Sequence, residues 1–235
     1  MNQSANHKNN CLICGAEIVY SQAQERECVF CHQRFTAEAH CVNGHYICDT
    51  CHSKPALPWI KEYCLRSQSQ DPIAIAIDLM RHPSIHMHGP EHHVLIPSAL
   101  LTAYHNAGGQ LDLATALVQA AKRGQQVPGG ICGLWGCCGA GIGAGIFFSI
   151  ATKDTPLAGE IWGQGNLLTS RCLNAIAQSG GPRCCKRDGY QAILTAIDYT
   201  AEKLGVTMKK PQKIHCSFSH LNQECLKNRC PFFPQ

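Results

Sequence analysis

Between residues 11 and 51 the chain sets out four ligand pairs in succession: Cys11 and Cys14, Cys28 and Cys31, Cys41 and His45, Cys48 and Cys51. Few large apolar residues lie among them, so this stretch cannot fold by burying hydrophobic surface alone. A CxxC turn delivers two thiolates to one ion from a tight loop, and a tetrahedral zinc site takes four N or S ligands. Eight ligands fill two such sites, and metal binding then supplies the folding energy of the segment. A lone CxxC is a weak signal; four consecutive pairs are a strong one. We read residues 11–54 as a small α+β module that binds two zinc ions, preceded by a disordered N-terminus at residues 1–10. His32, His40 and His52 are not needed as ligands.

The segment "CVNGHYICDTC" resembles the centre of RING-type and related treble-clef fingers, in which the pairs alternate between two ions. The same eight ligands also allow sequential filling, as a zinc ribbon followed by a Cys3His site. RING fingers carry further ligand pairs after this segment. Here only Cys64 follows, so ubiquitin-ligase activity does not transfer. The module is either structural or docks a protein partner.

Seventeen cysteines would suit a secreted disulfide scaffold, but the N-terminal "MNQSANHKNN" has no apolar run to act as a signal peptide. The expected location is therefore the reducing cytoplasm, where grouped cysteines serve as metal ligands or redox groups. The net charge of +4 is modest and scattered, so a nucleic-acid stripe is not expected. Residues 131–152 hold no charge and are long enough to cross a bilayer. Six glycines interrupt them and no positively charged flank pattern surrounds them, so no membrane span is expected.

From residue 55 the texture changes to helices punctuated by Gly and Pro, and no segment alternates with period two. This predicts a mainly α domain over 55–208 with Cys-bearing, Gly-rich turns, followed by an irregular tail over 209–235. Asp71 and Pro72 open one helix as N-cap and first residue. "VLIPSALLTAYHNAGG" closes another on glycine, and "LDLATALVQAAKRG" shows helical spacing with basic residues in its last turn. Further helices are expected near 139–151, 165–179 and 188–204.

Two stretches of this domain place adjacent cysteines at the mouth of a helix: "PGGICGLWGCCGAG" and "GGPRCCKRDG". Successive side chains on a helix differ by about 100°, so one member of each pair faces a site and the other packs into the core. If the two turns meet, Cys132, one of Cys137 and Cys138, and one of Cys184 and Cys185 converge. His88, His92 and His93 in "HPSIHMHGPEHHVL" are candidate further ligands. A helix N-terminus, with Arg183, Lys186 and Arg187 alongside, stabilises thiolate. Cys184 and Cys185 are therefore the candidate catalytic thiols, and one or the other is expected to be the most acidic thiol outside the zinc module. Arg183 and Lys186 could equally hold a small anionic substrate. In the tail, Cys216, Cys225 and Cys230 fit either iron–sulfur ligation, since Pro231 follows Cys230, or a further zinc site with His215 or His220.

Taken together, "HGPEHHVLIPSALL", "VPGGICGLWGCCGAGIGAGIFFSI", "GGPRCCKRD" and "NQECLKNRCPFF" resemble an uncharacterised prokaryotic family, domain of unknown function 5714, over about residues 60–235. That resemblance implies no activity. "GCCGAGIG" is also similar in part to the GCAxxG motif of a small cysteine-rich family regarded as redox-active, with its cysteine and alanine shifted. The expected function is a metal-binding protein whose helical domain carries a thiolate-based centre, iron–sulfur or a further zinc, in redox or group-transfer chemistry. Two alternatives stand beside it: a non-enzymatic zinc-stabilised adaptor for protein or nucleic acid, and an anion-binding transferase.

Overall fold

An antiparallel hairpin, β1 (Ile18–Glu27) and β2 (Arg34–Cys41), opens the fold, which is described for residues 10–234 of a computed structural model. Apart from Asn10, the expected disordered N-terminus lies outside the described residues. Ile18 pairs with Cys41 at one end of the hairpin and Glu27 with Arg34 at the other, with an irregularity between Tyr20 and Gln24. A two-stranded sheet is marginally stable by itself. The hairpin therefore depends on what is held at its two ends. A short helix, α1 (Asp49–Ser53), closes the module.

The remainder is mainly helical: α2 (Ala56–Arg66), α3 (Pro72–Met80), α4 (His92–Asn106), α5 (Leu113–Gly124), α6 (Ile131–Leu134), α7 (Gly139–Thr152), α8 (Glu160–Ser179) and α9 (Cys185–Leu204). The expected Asp71 cap is in place, and Asp112 caps α5 in the same way. Asp71 accepts from the amides of Ile73 and Ala74, and Asp112 from that of Thr115. Two helices start earlier than their sequence suggests. α8 begins at Glu160, whose charge complements the helix N-terminus, and it runs through Gly163 and Gly165. α9 begins at Cys185 because Cys184 acts as its cap, its Sγ accepting from the Arg187 amide at 3.5 Å.

The α7 helix sits between α4 and α8, and its glycines explain how it fits. A Cβ at Gly139 or Gly143 would meet His93 or Pro97 and Ile96 of α4. One at Gly141 or Gly145 would meet Leu173 or Thr169 of α8. Glycines four apart thus line each contact face, and the backbones approach closely. Below them Phe147 packs edge-on to Tyr104 at 5.8 Å and Phe148 to Tyr199 at 5.7 Å. At 14 residues α7 is short, and no helix among the described residues is long and apolar enough to cross a membrane.

Pro97 lies inside α4 and has no N–H to offer the His93 carbonyl. That carbonyl abuts Gly124 at the end of α5, where an added Cβ would lie 2.6 Å from the oxygen. Gly124→Ala should therefore destabilise the chain by about 1–3 kcal/mol, the usual cost of overpacking. Urea denaturation checks it. An unchanged midpoint would mean that α4 and α5 are not so closely seated.

After Gly205 the tail folds back over the start of α9, forming two 3-10 turns at Ser219–Leu221 and Lys227–Arg229. Ile214, Phe218 and Phe232 enter the core, and the Cys216 amide donates to the Phe232 carbonyl at 2.7 Å. The tail is thus irregular in backbone yet packed on the helices.

Candidate metal centres

The hairpin separates the four ligand pairs into two groups. Cys11 and Cys14 precede β1 and meet Cys41 and His45 at the end of β2. Cys28 and Cys31 lie in the connection between the strands and meet Cys48 and Cys51 at the start of α1. Within each group all ligand atoms fall inside 4.8 Å of one another. First pairs with third and second with fourth, so the pairs alternate as in a cross-brace.

Tight turns produce these groups. Gly15 and Gly44 adopt φ of 75° and 85° while donating to the Cys11 and Cys41 carbonyls at 2.8 Å. In the second knuckle His32 occupies the same left-handed region at 58°, so it is a turn residue and not a ligand. The donor set fits zinc. Sulfurs around one tetrahedral ion with bonds near 2.3 Å stand about 3.8 Å apart; Cys14 and Cys41 are 3.5 Å apart and Cys31 and Cys48 3.9 Å. A bond from the Ala16 backbone does most to hold the Cys14 thiol down, to about 6. The thiolate form that a metal requires is therefore supported at that position.

The module docks on the helical domain through polar contacts. Asp49 accepts from the Gly129 amide at 2.7 Å, His52 meets Glu91 at 3.0 Å, and Arg183 donates to the Tyr20 hydroxyl. Glu91 is fully buried. Burial would raise its carboxyl, but His52 outweighs it and holds the group at about 2. Its second oxygen accepts from the His86 amide at 2.9 Å. Gly89 is required beside it, since a Cβ there would lie 2.2 Å from Glu91 Oε2 and 2.5 Å from the His52 ring.

The three candidate histidines of this turn go to different places. His92 is buried and lowered well below the usual histidine value, first by burial and then by Lys186. Its Nδ1 donates to the Gly89 carbonyl at 3.1 Å, which leaves Nε2 to accept from Lys186 Nζ at 3.0 Å. His93 donates through Nδ1 to the Val127 carbonyl at 2.9 Å, with its Nε2 edge against Gly139. His88 turns toward the tail, 3.9 Å from Glu224, and burial with Arg183 nearby lowers it to about 4.

Two cations of "PRCCKR", Lys186 and Arg187, are committed inside the fold. Lys186 is fully buried, donates also to the His86 carbonyl at 2.7 Å, and is lowered to about 8 by burial. Arg187 bonds Asp188 at 2.9 Å and the Gly180 and Pro182 carbonyls. The expected acidity of Cys184 and Cys185 is therefore overturned by desolvation. Burial pushes Cys184 up to about 11 and Cys185 higher still.

Adjacent cysteines do diverge. Cys185 takes the Gly89 amide and lies in the field of Cys138, while Cys184 lies in that of Cys216 in the tail. Cys138 Sγ faces Asp188 Oδ2 at 3.9 Å, and the Cys184 amide donates to the same oxygen at 3.2 Å. Cys132 is a further neighbour of Cys138, and burial raises the Cys138 thiol to about 12. Cys132 and Cys137 are partly exposed. These thiols are neighbours without forming a tight group, for among the described residues the sets of three or more ligand atoms within 4.8 Å are the two in the module. Asp188 went unnoticed in the sequence. Lys186 had a signal, since it shares the spacing of the buried Tyr190, Ile193 and Ile197 on α9.

Comparison with known families adds one match: a family described as Family of unknown function (DUF5714) covers residues 60–233. The chain belongs to this family. The DUF5714 region starts within α2 and ends in the tail, so it takes in the helical core and the tail cysteines but not the two four-ligand groups before it. No curated protein and no solved structure matches the chain.

Proposed function

We propose that this DUF5714 protein binds metal in two places, with zinc holding the N-terminal module and a thiolate-based centre in the helical domain serving redox or group-transfer chemistry. The supporting observation is the gathering of sulfur at the start of α9, where Cys138 faces Asp188 while Cys184 and Cys185 leave the same turn in two directions. A thiol that burial keeps protonated is inert, so sulfur chemistry here calls for a cation, and metal binding ionises thiols with proton release. Iron with sulfide would supply electron storage; zinc would activate a coordinated thiolate. Asp188 is placed to receive the Cys138 proton, and the Lys186 ammonium offsets negative charge on the neighbouring sulfurs. We assign the protein to the reducing cytoplasm, where its free cysteines persist.

Elemental analysis of the full chain purified without oxygen tests this. The expected result is two zinc ions per chain, matching the two ligand groups, plus additional iron or zinc. Zinc at that level with no other metal would favour the second reading, an adaptor whose metals are all structural. The exposed Ile13, Phe30 and Val42 on the module favour that reading, since they present apolar surface to a protein partner.

A further inference from the structure

Four cysteines from two distant parts of the chain line one cavity: Cys184 at the start of α9, and Cys216, Cys225 and Cys230 from the tail above it. The cavity is partly enclosed and small. Met87, Tyr190, Phe218 and Phe232 make much of the remaining wall, so it is largely apolar. Backbone amides already point at three of the sulfurs. Arg187 donates to Cys184 at 3.5 Å, Lys227 to Cys225 at 3.4 Å, and the Phe218 amide bonds Cys216. The Lys186 ammonium lies 5.1 Å from the centre of the Phe218 ring, and Cys184 and Cys216 both act on its charge. Sulfur ligands in an apolar wall, with amide donors and one buried cation, form the surroundings that tune a redox cluster.

We propose that Cys184, Cys216, Cys225 and Cys230 are the four protein ligands of an iron–sulfur cluster. The spacing of the thiols separates this from another zinc site. One zinc ion needs its sulfurs about 4 Å apart, and no three of these four are mutually within 4.8 Å, unlike the ligands of the module. A cluster of iron and sulfide is several atoms across, and its cysteines stand correspondingly further apart. The assignment also accounts for the Cys-Cys pair, in which Cys184 serves the cluster while Cys185 faces Gly89 and Cys138. It rests on the reading that the helical domain carries a metal, and it names the ligands and the class of that centre.

The test is anaerobic reconstitution of the full chain with ferrous iron and sulfide. Iron and acid-labile sulfide should be taken up in equal amounts, with visible absorbance and the zinc unchanged. Cys216→Ser with Cys230→Ser should lose the iron, the sulfide and the colour while keeping the zinc and the helical circular dichroism. Cys132→Ser with Cys137→Ser should keep all of them. Should the tail variant fail to fold, alkylation mapping of the reconstituted parent decides, because Cys184, Cys216, Cys225 and Cys230 should then be protected as a set. Iron that survives the tail variant, or a different protected set, would place the cluster elsewhere and overturn this assignment alone. A lone zinc ion bound by the four would also overturn it. Failure to bind any metal beyond the zinc of the module would bring down the reading of the helical domain as well.

Discussion

Cys48→Ala in the full chain should bind one zinc ion fewer than the parent and lose the ordered amide signals of the module while keeping those of the helices. Cys48 supplies a ligand to the group at the closed end of the hairpin and stands at the start of α1. Structural zinc contributes about 10–16 kcal/mol to small metal-held folds, far more than a two-stranded sheet can supply. The loss should spread to the docking contacts, because Asp49 and His52 hang from the same turn. Zinc analysis and an amide correlation spectrum check this. Retention of both ions with an unchanged spectrum would remove the interleaved assignment.

Glu91→Ala should destabilise the chain by about 3–5 kcal/mol, the cost of breaking a buried ion pair by deleting one partner. It leaves His52 without its carboxylate and removes the oxygen that the His86 amide bonds. Glu91→Gln keeps the shape and an acceptor for His86, so it should cost less. Denaturant titration of the two variants reads the difference. Equal and small losses would show that water already reaches this carboxylate.

The parts legible in the sequence are those with local causes. The ligand pairs announce themselves by spacing, and the Asp71 cap by residue type ahead of an apolar run. Tertiary packing decides the rest. A basic run such as "KR" after two cysteines reads as exposed charge that acidifies sulfur, yet the phase of α9 carries Lys186 under the tail, where burial prevails. Cys184 caps its helix with sulfur, a choice that cap preferences do not anticipate. The assembly of Cys184 with three tail cysteines depends on a fold-back of irregular backbone that has no periodicity to read.

X-ray absorption at the zinc and iron edges of one anaerobically prepared, reconstituted full-chain sample tests the account most directly. At the zinc edge the account predicts a sulfur-dominated shell averaging seven sulfurs to one nitrogen over the two sites, from seven cysteines and His45. At the iron edge it predicts iron surrounded by sulfur with a neighbouring iron shell, as a cluster requires. Zinc bound mainly by nitrogen or oxygen, or iron with light-atom ligands and no iron neighbour, would contradict it.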